Sequence, residues 1–151
     1  MSITALISCI LVFTAFGLIG CSTKFAEKEY DSDKAIATSD RNIKVGTVSS
    51  HKNGAYSFSA SKFDGRETVW KNPLTAEKDV SIVISLSLKK GKAKVVYIDD
   101  SKNVTTLIGC TPETSLDDSI TQSLTMKKGN NGFKIVGYDC KDLKLKLQII
   151  E

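Results

Sequence analysis

The residue with the most definite chemistry is Cys21. It closes the run Leu18-Ile19-Gly20-Cys21, at the end of a stretch from Ile3 to Gly20 that carries no charge. A small residue before the cysteine lets a peptidase draw the backbone close, as at ordinary signal cleavage sites. The cysteine supplies the thiolate that takes up a lipid group. The spacing therefore predicts cleavage before Cys21 and lipidation on it. Other reactive groups are sparse. His51 is the sole histidine and reads as a solvated loop residue rather than a general base. One histidine and no Cys-x-x-Cys pair leave zinc without ligands. No G-x-S-x-G elbow and no glycine-rich phosphate loop occur. Asp99-Asp100 and Asp117-Asp118 flank predicted strands. Such carboxylates can bind calcium or act in sugar hydrolysis, but aspartate also favours turns and blocks edge pairing, which is the expectation here. No catalytic residue, metal or cofactor is expected, and the chain reads as a non-enzyme.

Four further residues carry candidate roles. Trp70 is the only tryptophan. With Tyr97 it is a candidate ligand contact, since an exposed ring stacks on a sugar; the competing reading of Trp70 is a core plug. Cys110 and Cys140 are the two cysteines that follow Cys21, and outside the cytoplasm an even pair is a candidate disulfide. It would close a loop of about 30 residues and contribute about 3–4 kcal/mol. Two free buried thiols are the alternative.

The elements that must position these residues follow from composition and period. The chain has 151 residues, 41% hydrophobic and 25% charged, with 21 basic against 17 acidic side chains and a net charge of +4. That is the make-up of one globular domain. The mild, interspersed positive charge favours loose attraction to anionic lipid or wall polymer and not nucleic-acid binding. The first apolar stretch is close to the roughly 20 residues that a membrane span needs, and its Gly-Cys ending decides for a signal segment over 1–20. Its first four residues lack the Lys or Arg usual in export signals. Residues 21–50 are polar and without steady period, and read as a flexible tether with a weak helix over 24–37 and a weak strand over 43–48. From residue 51 on the pattern has period two. Ile82, Ile84, Leu86 and Leu88 alternate with serines and Val83, and Leu143, Leu145, Leu147 and Ile149 alternate with Lys144, Lys146 and Gln148. Residues 81–88 and 93–99, split by Lys89-Lys90-Gly91-Lys92, read as a hairpin. Seven or eight short strands without a long amphipathic helix predict an antiparallel β-sandwich over 51–151. Its predicted core includes Ile82, Ile84, Leu86, Val95, Leu124, Phe133, Ile135, Leu145 and Leu147.

The segments KFDGRETVWK, KGKAKVVYIDDSKNVTTLIG and KKGNNGFKIVGYDCKDLKLKLQI, together with the motif ending at Cys21, resemble a group of small bacterial surface lipoproteins, mostly Gram-positive. The resemblance covers the signal and roughly the last 95 residues. It implies an all-β domain of jelly-roll type and brings no catalytic site. In that group the places of Cys110 and Cys140 are usually filled by small or polar residues, which favours reading the two as a pair. The expected address is extracytoplasmic, lipid-anchored to the cell membrane, or to the outer membrane of a Gram-negative source. The expected partners are the membrane, through the lipid, and an envelope protein or glycan. Two roles stay open: a surface binding or interaction module, including a glycan-binding one, and a structural or accessory subunit of an exported complex. A solvent-facing cluster of Trp70 and tyrosines would favour glycan stacking. A flat face of polar side chains would favour a passive or protein-contacting role.

Overall fold

A side chain every second residue faces the core wherever the sequence alternates. Ile82, Ile84, Leu86 and Leu88 are buried, as are Leu143, Leu145 and Leu147, while Lys144, Lys146 and Gln148 between them are exposed. The computed structural model describes residues 23–151; Leu18, Ile19, Gly20 and Cys21 lie outside the described residues. Two short helices, α1 (Thr23–Tyr30) and α2 (Asp33–Thr38), precede eight strands: β1 (Arg41–Val45), β2 (Val48–Lys52), β3 (Ala55–Leu74), β4 (Lys78–Ser87), β5 (Lys90–Ile98), β6 (Val104–Cys110), β7 (Leu116–Met126) and β8 (Gly129–Ile150). Every pairing is antiparallel. The protein is an all-β antiparallel sandwich, as its alternation requires.

β3 and β8, of 20 and 22 residues, run through both layers. Residues 62–74 of β3 and 129–141 of β8 lie in the first layer with β1, β5 and β6. Residues 55–60 of β3 and 143–150 of β8 lie in the second with β2, β4 and β7. Gln122 of β7 donates to the Leu107 carbonyl of β6 at 2.7 Å and so ties one layer to the other. The bend is built from irregular backbone. The register slips between Phe63 and Gly65, and Asp139 and Asp142 take φ of 49° and 50°. Such conformations turn a strand where two layers share it. Gly65, at φ 117°, is required there, since a Cβ would collide with the Arg41 carbonyl. Phe63 and Cys140 fill the inside of the bend, and Lys62 and Lys141 stand exposed outside it.

Four expectations change. Residues 21–50 are not a tether where they are described. Ile36 (0% exposed) and Tyr30 pack on Val96, Ile98 and Val136, on the outer face of the first layer. That face is apolar, and the helices remove it from water. The sandwich itself begins at Arg41 rather than at residue 51. Residues 81–88 and 93–99 do not form a hairpin: β4 pairs with β7 and β8, and β5 with β6 and β8, so the link crosses between layers. Finally, Cys110 and Cys140 are free and buried. β5 separates their strands, with Ala93 opposite both Cys110 and Gly137. Two strand spacings, about 10 Å, separate Cys110 from Gly137, and no bond joins the two thiols.

Candidate functional site

Neither predicted ligand contact faces solvent as a platform. Tyr97 is 4% exposed. Its hydroxyl donates to Asn131 Oδ1 and accepts from the Lys127 amide at 3.0 Å, and burial is the main cause that raises its pKa. Asn131, also buried, donates to the Lys127 and Gly129 carbonyls at 2.8 Å each. Tyr97 is thus the internal prop of the turn between β7 and β8, which corrects its reading as a ligand contact. Trp70 is half-buried. Its ring lies 5.2 Å from Phe133 at a tilt of 44°, against the main core. It is the core plug of the two readings. His51 is exposed on β2, opposite Tyr56. Cys140 directs its thiol to the Lys92 carbonyl at 3.2 Å. Burial pushes that thiol up to about 12, with Asp64 and Asp139 adding to the effect, so it is a poor nucleophile at neutral pH.

The helices and the adjoining loop form a strap that is held by charge as well as by apolar contact. Arg66, 5% exposed, donates through Nη1 to Glu29 and through Nε to the Ser39 carbonyl at 2.6 Å. Lys92 and Lys94 sit 4.4 and 4.7 Å from the centroid of the Tyr30 ring, a favourable cation–π distance. Asp40 receives the Lys134 ammonium at 2.9 Å and the Thr68 amide and hydroxyl at 3.0 and 2.9 Å. Burial raises the Asp40 carboxyl, but these hydrogen bonds outweigh it and hold the pKa below its ordinary value. Ser32 caps α2 by accepting from the Ala35 amide at 3.3 Å.

Where the strap crosses the sandwich it leaves a cleft of about 260 Å³. Ala37, Thr38, Ser39 and Asp40 form one wall; the loop after β5 and the start of β8 form the other, over a floor at Ile98 and Gly132. That volume is at the small end for ligand sites and suits one compact molecule or a single unit of a chain. The carboxylates around it are engaged. Asp99 accepts from the Asn103 amide at 2.9 Å and side chain at 2.8 Å. Asp100, beside the cleft, accepts from the Asn130 amide and side chain at 2.9 Å each, which hold its pKa down. Asp40 is held as above. Lys71 and Lys102 also line the cleft, and neither has an ion pair among the described residues. The cleft therefore offers two cations without an ion pair among the described residues, Lys102 acting on Asp100 through space, and a ring of hydroxyl and amide groups. The other paired carboxylates, Asp117 and Asp118, are exposed on β7, away from the cleft lining. Among the described residues no three His, Cys, Asp or Glu side chains come together as a metal site.

No family model and no curated protein sequence matches this chain. Solved structures of similar architecture exist at low identity. One is a carbohydrate-binding module of Cellvibrio mixtus lichenase 5A in complex with cellotriose, with 10% identity and a TM-score of 0.45 over 74% of this chain and 89% of that one. A second is a mutant family 29 carbohydrate-binding module complexed with mannohexaose, with 11% identity and a TM-score of 0.43 over 76% and 81%. A third is an exo-β-1,3-galactanase of Phanerochaete chrysosporium, with a TM-score of 0.41, where 75% of this chain matches 28% of the enzyme. At these scores the likeness assigns neither a site nor a ligand, and the reading below rests on the residues themselves.

Proposed function

We propose that this chain is an exported, lipid-anchored, non-catalytic binding module, and that the cleft under its strap takes an acidic, hydroxyl-rich ligand such as a uronic-acid unit of an envelope glycan. The observation that carries the ligand class is the pairing at the cleft: Asp40 and Asp99 are both satisfied internally, whereas Lys71 and Lys102 form no ion pair among the described residues, Lys102 reaching Asp100 only as a neighbouring charge. A ligand carboxylate gains two charge-assisted partners there, and its hydroxyls meet Thr38, Ser39 and Asn130. Binding by hydrogen bonds fits the site, because no ring is available for stacking: Trp70 and Tyr97 belong to the core. The anchor reading is supported by Leu18-Ile19-Gly20-Cys21, which stands where the uncharged stretch ends, whereas Leu6-Ile7-Ser8-Cys9 lies inside that stretch.

The ligand is tested with residues 22–151, which contain every described element, on an array of neutral and uronic-acid oligosaccharides followed by calorimetry. Acidic glycans should bind, and Lys71→Ala with Lys102→Ala should weaken binding at least tenfold, in line with charge-assisted bonds of about 1.5–3 kcal/mol each. Equal binding of neutral and acidic sugars, or no effect of the double variant, would defeat this reading. The anchor is tested separately. Cys21→Ser should abolish palmitate labelling in cells, and labelling that persists would remove the anchor. An accessory role in an envelope complex keeps one observation in its favour: Ile43, Val45 and Val48 are 58%, 53% and 70% exposed along the free β1 and β2 edge. Crosslinking through Val48→Cys to an envelope protein would support it, and a chain that crosslinks to nothing would not.

A further inference from the structure

The two outer faces of the sandwich treat their lysines differently. On the first layer four cations are matched by strap acids: Lys134 by Asp40, Arg66 by Glu29, and Lys92 and Lys94 by Asp31 at 3.9 and 3.7 Å. On the second layer nothing covers them. Lys144 and Lys146 stand on the central strand β8, exposed and without an ion pair among the described residues. Lys62 and Lys141 continue the same side around the outside of the bend, directly opposite each other in register and equally unpaired. Like charges placed opposite one another on adjacent strands destabilise a sheet. The row persists where the sheet could as easily have carried alternating signs, and a bound counter-charge would relieve it.

The strand neighbours of Lys144 and Lys146 are hydroxyls, and the hollow beside Lys144 is also lined by Asp117 and by Asp142, which pairs with Lys89. Ser59 and Ser87 flank Lys144 in register, and Ser57 and Ser85 flank Lys146. Lys144 and Lys146 lie two residues apart on one strand, about 7 Å, within one Debye length of each other at physiological salt, about 8 Å. They act on a ligand as one field. The surface is a serine-lined strip with a line of ammonium groups along its centre and open hollows of about 510 and 270 Å³ beside Lys144 and Lys146.

We infer that this strip binds a linear phosphate polyanion laid along β8. Charge complementarity selects the polymer, and the position of the strap selects polymer over membrane. α1 starts at Thr23 and packs on the first layer, so a lipid at Cys21 holds that side toward the bilayer and turns the strip away from it. This last clause rests on the anchored reading; the binding itself does not.

The test uses residues 22–151 with long-chain polyphosphate, phosphatidylglycerol vesicles and neutral dextran at several salt concentrations. The wild-type chain should bind polyphosphate, with the logarithm of affinity falling linearly against that of salt, and should ignore dextran. Lys144→Gln with Lys146→Gln should reduce that slope by about 1.4, at about 0.7 for each phosphate of a single-stranded polyanion that a lysine no longer neutralises. A charge-matched control, Lys78→Gln with Lys127→Gln, removes two cations already paired with Glu151 and Glu77 and should leave the slope as it was. Both variants alter exposed side chains, and an unchanged thermal melt confirms their fold. No polyphosphate binding at low salt, or equal slopes in the two variants, would overturn the proposal. Vesicle binding as tight as polyphosphate binding would replace the polymer by the lipid surface. Glycan binding in the cleft is scored on different residues, so either result stands without the other.

Discussion

Ile36→Ala separates a docked strap from a tether. Ile36 is 0% exposed and sits among Tyr30, Val96, Ile98 and Val136. The substitution deletes three carbons. At about 0.8 kcal/mol each that is about 2.4 kcal/mol of lost transfer energy, and the cavity left behind brings the cost to about 2–5 kcal/mol. The loss falls on the strap alone, because α1 and α2 have 8 and 6 residues, well short of the 12–15 or so that an isolated helix needs. Their order comes from docking, and weaker docking appears as local opening with the sandwich intact. At about 1.4 kcal/mol per tenfold, amide protection over residues 27–38 should fall by about 30-fold to over 1,000-fold. Hydrogen exchange read by mass spectrometry measures this peptide by peptide, with β4 as the internal reference. Ile43→Ala is the matched control: the same residue type, in the same polar-looking stretch, but 58% exposed, and its effect should stay within about 0.5 kcal/mol. A flexible tether would give no change at either position. Unchanged protection over residues 27–38 in Ile36→Ala would refute the docked strap.

The remaining expectations are simpler. Ile84→Ala, at a position 1% exposed, should lower unfolding stability by about 2–5 kcal/mol in urea, and Asp117→Ala on the exposed start of β7 by under about 0.5 kcal/mol; similar midpoints for the two would contradict the placement of the core. Cys110 and Cys140 should resist alkylation in the native protein at pH 8 and both react in denaturant, whereas a thiol count of zero after unfolding without reductant would restore the bond. The Asp40 carboxyl is held below its ordinary value of 3.8 because the bonds from Lys134 and Thr68 outweigh its burial. A depressed carboxylate contributes stability above its unfolded pKa that is lost as pH falls through the folded one. Exchange over residues 27–40 should therefore speed up below about pH 4 relative to pH 6 after correction for intrinsic rates, and Asp40→Asn should remove that difference; an identical pH response in the variant would count against the ion pair.

The sandwich was legible because its central strands are wet on one side. The alternations at 81–88 and 143–149 fix which residues point inward, and of the predicted core only Leu124 is left half-exposed. The strap was hidden for the opposite reason. Its own sequence is polar, with Tyr30 and Ile36 as isolated apolar residues, and the sign of its docking lies far away in Val95-Val96-Tyr97-Ile98. Four buried residues in a row mark a strand covered on both faces, and something had to supply the second cover. The hairpin from β2 into β3 also left a mark. Asn53-Gly54, with φ of 51° and 73°, closes it between Lys52 and Ala55, and Asn-Gly is the strongest short hairpin signal. The reading of 81–99 as a hairpin failed because local turn chemistry cannot reveal that both strands find a better partner in β8. The cleft could not be read from sequence at all. It depends on which carboxylates Asn103 and Asn130 happen to reach, and on a wall at 37–40 that stands far from its floor at Ile98 and Gly132 along the chain.

The shared strand β8 also sets the order in which this protein can come into being. β3, β4 and β5 all bond to it, and it is the last strand to be synthesised. Before residues 129–150 are made, neither layer has its centre, and the inward faces of three strands have nothing to close against. The pairings of β3 and β4 with β8 join residues far apart along the chain, which slows folding intrinsically. A nascent chain with this topology stays open until β8 has been made. That delay comes from strand order rather than from an instability of the finished fold.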